Sequence, residues 1–134
     1  EQRFGEPLIY HAKPTFRIHL PGNVSVGAYH RDSEYHHPVE EINVWVPLTR
    51  ATGTATIWME SAPDKGDYRP QEMAYGRFLV FDSGLKHGNE IKREGYTRVS
   101  FDFRVIPARL YTESGAISAN RGTRIGLGDY YARF

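Results

Sequence analysis

Apolar and polar residues alternate with a period of two through most of this chain, and the 3.6-residue rhythm of an amphipathic helix is nearly absent. Residues 16–20 alternate and stop at the turn pair Pro21-Gly22. Residues 24–30 alternate again, with Val24, Val26, Ala28 and His30 on one face. Residues 42–48 and 54–60, parted by a turn at Thr52-Gly53, are rich in β-branched and aromatic side chains, and 78–82, 85–91 and 96–106 complete the set. Residues 61–70 read as a long polar loop with a short strand near its end. Seven or eight short strands of this kind, with Gly and Pro mostly between them, predict an all-β sandwich or barrel with little or no helix. Residues 1–134 are expected to form one domain with a core over about 16–106. The Gly-, Ser- and Arg-rich stretch 107–134 then serves as a tail, either an arm, a lid or a strap.

The last strand of the set is the most informative. Over 97–105, Arg98, Ser100, Asp102 and Arg104 fall on one face, and Val99, Phe101, Phe103 and Val105 fall on the other. The charged face points either to solvent or into a cavity where four polar groups converge.

Composition narrows the function classes. The chain carries 17 Lys and Arg against 16 Asp and Glu, so it has no broad field for nucleic acid or an anionic membrane. It has no cysteine, which closes the disulfide, zinc-thiolate and thiol-nucleophile readings. Its longest near-continuous apolar run, Val44-Trp45-Val46-Pro47-Leu48, is far too short to span a bilayer. No charged-then-apolar leader opens the chain and no Met starts it, so a processed or trimmed product acting in the cytoplasm is expected. Arg outnumbers Lys by 13 to 4, a bias that suits bidentate recognition of carboxylates or phosphates.

His30-Arg31-Asp32 places an imidazole and a carboxylate two residues apart, on one face if the segment is a strand, and a second strand supplies His87. Two imidazoles and one carboxylate on one side of a metal, with open positions opposite, form the ligand set of non-haem Fe(II) oxygenases. A hydrogen-bonded cluster without metal is the plain alternative.

The segment from Gly76 to His87, a strand, a Gly turn at Ser83-Gly84 and a His just past it, resembles the second motif of the cupin superfamily. Asp82 stands where that motif has Pro, and Ile91 stands at its trailing Asn position. Eleven residues after His87, Arg98-Val99-Ser100 is similar to the Arg-x-Ser pair on the last barrel strand of Fe(II)/2-oxoglutarate dioxygenases. His30 to Tyr35, Glu41 to Thr49, Trp58 to Tyr68, Gly84 to Asn89 and Thr97 to Val105 resemble the StrG-type proteins of streptomycin biosynthesis, a group similar to the phytanoyl-CoA dioxygenase-like branch. The likeness runs from about Phe16 to Tyr111.

The resemblance implies a double-stranded β-helix (jelly-roll, cupin-like) barrel, with Fe(II) held by His30, Asp32 and His87. It also implies 2-oxoglutarate as cosubstrate, its far carboxylate anchored by Arg98 and Ser100. O2 and 2-oxoglutarate would react at the iron, giving CO2, succinate and hydroxylation of an unactivated C–H of a small molecule. Retention of Asp32 favours hydroxylation over halogenation, because halogenases of this superfamily carry a small residue there. A cupin sugar isomerase or epimerase, and a non-catalytic metal- or ligand-binding cupin, are the rival readings. Asp32 and Arg98-Val99-Ser100 speak against the first.

Further residues carry narrower expectations. Asn43, on a strand face with Trp45, is expected to reach cosubstrate or metal-bound water, or to be a cross-strand structural amide. Arg98 has an ion pair with Asp102 or Asp82 as its structural alternative. His36 and His37 are expected in a solvated rim beside Pro38, within reach of a substrate. Arg31 and Arg104 pair either with an anionic substrate or within the protein. Tyr130 and Tyr131 either fold over the barrel mouth or anchor the terminus. The outward apolar face Val99, Phe101, Phe103, Val105 is too large to leave open. It is expected to be covered by the tail after Pro107 or by a second subunit of a twofold homodimer.

Overall fold

The protein is described by a computed structural model over residues 4–25, 27–119 and 122–133. Among the described residues there are nine strands: β1 (Leu8–His11), β2 (Thr15–His19), β3 (Ile42–Pro47), β4 (Trp58–Met59), β5 (Arg69–Pro70), β6 (Leu79–Asp82), β7 (His87–Gly88), β8 (Arg98–Pro107) and β9 (Tyr131–Arg133). The only helical pieces among those residues are single 3-10 turns, so the all-β expectation holds.

Two antiparallel sheets make up the fold. The larger runs β6-β3-β8-β1-β9, with β2 paired beside β1 along the same edge of β8; the smaller runs β5-β4-β7. Trp45 and Phe81 of the larger sheet meet Ile57 and Met59 of the smaller side in one buried cluster. That cluster is the hydrophobic floor of the interior.

β8 is the hub, and its register settles which face is which. Asn43 lies opposite Arg104, Trp45 opposite Asp102, Arg17 opposite Ser100 and His19 opposite Arg98. Directly opposed residues share a face. The polar face of β8 therefore looks inward, with Arg98 and Ser100 fully buried. An inward charged face is tolerable only if its groups find partners: Asp102 pairs with Arg17 and Arg104 with Asp32, while Arg98 bonds only neutral groups.

Three strand expectations are corrected. Residues 24–30 are irregular where described, joined to the sheet by a single bridge from His30 to His87; Val26 lies outside the described residues. Residues 54–60 begin as a 3-10 turn (Gly53–Ala55) and contribute only Trp58–Met59 as strand. Residues 85–91 contribute only His87–Gly88. Side chains take backbone groups that a ladder would otherwise use: Glu94 accepts from Thr54 N at 2.8 Å and Asn89 donates to Thr56 O at 3.0 Å, Glu60 accepts from Lys86 N at 2.8 Å, and Asn23 accepts from Val24 N at 2.8 Å. No helix among the described residues is long and apolar enough to cross a membrane.

The tail is a strap. It packs Ile125, Tyr130 and Tyr131 against Ile9 and Ile106 on the inward side and ends as β9, paired with β1. It does not cover the outward apolar face, which corrects that half of the expectation: inward-pointing Ile106 and Ile9 offer the tail a deeper apolar seat. Phe16 and Ile18, opposite Phe101 and Val99, stay 69% and 66% exposed.

Candidate functional site

His30, Asp32 and His87 come together, their ligand atoms all within 4.8 Å of one another. The convergence is not that of one strand face. His30 sits in its bridge to His87, with backbone bonds of 3.1 and 3.0 Å in the two directions. The close approach requires a small residue next door, since a Cβ on Gly88 would stand 3.2 Å from Tyr29 Cδ1 and 3.3 Å from its Cα. Asp32 opens the 3-10 turn Asp32–Tyr35, which stops at His36 in the left-handed region, φ 68°.

Hydrogen bonds aim the three ligands. His30 Nδ1 donates to Ala28 O at 3.1 Å and His87 Nδ1 donates to Leu85 O at 2.9 Å. That tautomer leaves both Nε2 lone pairs facing Asp32 Oδ1, each 3.9 Å away. The other carboxylate oxygen, Oδ2, accepts from Asn43 Nδ2 at 2.7 Å. Imidazoles fixed through Nδ1 and a carboxylate fixed by hydrogen bonds are what outer-shell partners do at metal sites. This donor set fits a divalent transition metal, with three protein ligands on one side.

Arg104 braces the centre from behind. Its Nη2 donates to Asp32 Oδ1 at 3.2 Å, its Nη1 donates to Tyr130 Oη at 2.8 Å, and its Nε lies 3.1 Å from Glu41 Oε2. Glu41 in turn accepts from His37 Nδ1 at 3.2 Å and from the Tyr131 hydroxyl. Burial alone would raise the pKa of Asp32, but Arg104 first, then His87 and Asn43, hold it well below the usual carboxylate range. Burial also opposes the Arg104 charge, and Asp32, Tyr130 and Glu41 outweigh it, so the guanidinium stays protonated. Burial lowers the pKa of His87, more than the Asp32 charge raises it, which keeps its Nε2 lone pair available near neutral pH.

A cavity joins the triad to Arg98, with Asn43, Trp45 and Phe81 in its wall. Arg98 is fully buried, yet no ion pair links it to a carboxylate among the described residues. Asp102 is held by Arg17 Nε at 2.6 Å, and Asp82 caps its own turn by accepting from Gly84 N at 2.7 Å. The partners of Arg98 are neutral: Nε donates to Ala55 O at 3.0 Å, Nη1 to Ser100 Oγ, and Nη2 to His19 Nδ1 at 3.3 Å. A guanidinium has five N–H groups, so one on each Nη is uncommitted. Burial, then Arg17, pushes its pKa down to about 10, which leaves it charged at neutral pH. The indole Nε1 of Trp45 in the same wall is buried without a hydrogen-bond partner among the described residues. A buried cation with two spare donors and an orphaned N–H nearby fits a carboxylate-bearing ligand, because each such group left unmade is costly.

Other expectations resolve as follows. Asn43 lines the cavity, and its amide is spent on Asp32. His36 is exposed, whereas His37 is buried against Glu41; the solvated rim is corrected for His37, because the 3-10 turn carries it inward. Arg31 pairs with Asp64, which also takes Lys86 Nζ at 3.3 Å, so one carboxylate ties the residues flanking His30, Asp32 and His87. Tyr130 and Tyr131 turn their hydroxyls inward. A neighbouring recess shares His30 and Asp32 and adds Tyr35 and His37. The residues missed from sequence are His19 and Glu41; the alternation over 16–20 placed His19 beside no partner, because partners come from register.

No protein-family model matches the chain. The streptomycin biosynthesis protein StrG of Streptomyces griseus is 40% identical over 119 residues, covering 88% of this chain and 56% of that protein. The chain thus spans about half the length of this curated relative. Among solved structures, a non-heme monooxygenase described as a ThoJ–nickel complex aligns with TM-score 0.67 and 18% identity, over 96% of this chain and 52% of that one. The crystal structure of EvdMO1 aligns with TM-score 0.56 and 17% identity, over 76% of this chain and 28% of that one. The all-β fold is therefore shared with those two solved structures.

Proposed function

We propose that this chain is a non-haem Fe(II)- and 2-oxoglutarate-dependent oxygenase that hydroxylates a C–H of a small molecule. The observation that carries the reading is Arg98: a buried guanidinium, held only by neutral acceptors, in the wall of the cavity that also holds His30, Asp32 and His87. Neither a sugar isomerase nor a passive metal-binding cupin calls for a buried carboxylate seat beside a triad with open coordination positions. The nickel noted for ThoJ is compatible with a divalent-metal centre of this kind.

His30, Asp32 and His87 would hold the iron, and Arg98 with Ser100 would hold the far carboxylate of 2-oxoglutarate. Bound there, iron with 2-oxoglutarate and O2 supplies the oxidation, converting R–H to R–OH with release of succinate and CO2. The chain's own residues do the rest. Asn43 and Arg104 hold the Asp32 carboxylate ionised and turned, the Trp45 and Phe81 walls exclude water, and the recess at Tyr35 and His37 seats the substrate next to the metal. Succinate should form when Fe(II), 2-oxoglutarate, O2 and a coupled substrate are supplied, and Arg98→Ala should lose at least tenfold in kcat/KM for 2-oxoglutarate, since a charge-assisted bidentate contact is removed. Stoichiometric iron binding without any response of the metal spectrum to 2-oxoglutarate sinks the reading.

The outward face at Phe16 and Ile18 is read as the seat of a second copy in a twofold dimer, since the tail packs elsewhere. Light scattering at micromolar concentration should return twice the chain mass, and Phe16→Asp should return the monomer. A monomeric wild-type mass counts against the dimer.

A further inference from the structure

His19 is fully buried on β2, opposite Arg98 on β8. Its Nε2 lies 2.7 Å from Asn23 O, a group that can only accept, so Nε2 carries the proton. Nδ1 is then a bare lone pair, and it receives Arg98 Nη2 at 3.3 Å. A carboxylate at this position would have neutralised Arg98, and a hydroxyl would have left the hydrogen free to turn. A neutral imidazole locked by a backbone carbonyl does neither. It fixes the plane of the guanidinium and leaves its charge for an external anion.

We propose that His19, as the neutral Nε2–H tautomer, is a positioning residue that sets the Arg98 fork for the dicarboxylate cosubstrate, and that its protonation releases the fork. This rests on the 2-oxoglutarate reading above. A second proton on Nδ1 would set N–H against N–H and place two cations in contact. The charged and titratable groups around the ring oppose that proton on balance. Arg98 faces it from β8; Lys92, whose ammonium lies 4.5 Å over the Tyr96 ring, faces it from the preceding segment, where the Glu94 carboxylate pulls the other way. Burial first, then these cations, hold the imidazole below its ordinary value against the Asn23 carbonyl and Glu94. The fork is therefore engaged at neutral pH and is lost only below the usual imidazole range.

The test is calorimetric titration of 2-oxoglutarate into Fe(II)-loaded protein under argon, for wild type, His19→Leu and His19→Gln, at pH 7.5 and at successively lower pH. Leu should weaken 2-oxoglutarate binding by about tenfold to a hundredfold, the usual cost of removing a partner of a charged binding group, with Fe(II) affinity unchanged. Gln, with one amide donor and one amide acceptor and no titration, should recover most of the loss. On acidification wild-type affinity should fall more steeply than that of His19→Gln; both share the metal-ligand histidines, so the difference reports His19. Binding by His19→Leu equal to wild type, equal losses in Leu and Gln, or parallel pH profiles would each overturn the proposal while leaving the cosubstrate reading in place. Failure of wild type to bind 2-oxoglutarate while it binds Fe(II) overturns the cosubstrate reading, and the role of His19 with it.

Discussion

Replacing His87 with alanine should cost more than a hundredfold in affinity for Fe(II), with the fold retained. The His87 side chain is 13% exposed and its ring meets Phe81 edge-on with centroids 4.9 Å apart, but its backbone, not its ring, makes the bridge to His30, so the strand pairing survives loss of the imidazole. What goes is one of three ligands. Alteration of an outer-shell partner at a metal site typically costs 10- to 100-fold, and a ligand should cost more than a residue that merely orients one. Asn43→Ala supplies the comparison. It leaves His30, Asp32 and His87 in place but removes the amide that occupies Asp32 Oδ2, so its loss should fall within that outer-shell range. Calorimetric titration of both variants checks the order. An affinity for His87→Ala within threefold of wild type would remove His87 from the ligand set.

Arg104→Leu should be the most destabilising single change near the site, by about 3–5 kcal/mol, the usual cost of breaking a buried ion pair from one side. The loss arises because Asp32 and Glu41, both almost fully buried, would be left as carboxylates without their cation. Set against a total stability of about 5–15 kcal/mol for a domain, such a loss is enough to leave much of the protein unfolded at working temperature. Urea denaturation of the metal-free protein measures it. A change below about 1 kcal/mol would mean that water or the two histidines take over from the guanidinium. Arg104→Lys should fall between, because an ammonium keeps the charge and cannot span Asp32, Glu41 and Tyr130 with a fixed fork.

Much of this architecture is written in local pattern. Alternation over β8 puts Arg98, Ser100, Asp102 and Arg104 on one face without any knowledge of partners, because strand geometry permits only two faces, and pairing with β2 and β3 then turns that face inward. The His30-x-Asp32 pair and His87 are legible from residue type and spacing, although Asp32 reaches the centre from a 3-10 turn and not from a strand. Strands of two residues are too short for a period to bound them: the runs 54–60 and 85–91 shrink to β4 and β7, while β5 falls at the end of 61–70 where a short strand is expected. β1 and β9 are invisible for another reason: β1 is held between β8 and β9, Ile9 beside Ile106 on one side and Arg133 on the other, and nothing in its four residues or the three of β9 encodes those partners. The same limit hid His19 and Glu41. Their roles depend on register across the sheet, where Arg98 is 79 positions from His19 and Tyr131 is 90 from Glu41.

Those separations bear on the order of assembly. A centre whose carboxylate is braced by Arg104, and whose brace is in turn held by Tyr130 and Tyr131, draws on side chains scattered from one end of the described chain to the other. Loop closures of that span are entropically expensive, and β topologies dominated by them fold in milliseconds to seconds, not microseconds. On a ribosome adding about 5–20 residues per second, the strap emerges after Asp32, Glu41 and Arg104. Metal capture by the finished centre therefore waits on the emergence of Tyr130 and Tyr131, and a nascent chain presents His30 and Asp32 before Arg104 and the strap hold them in place.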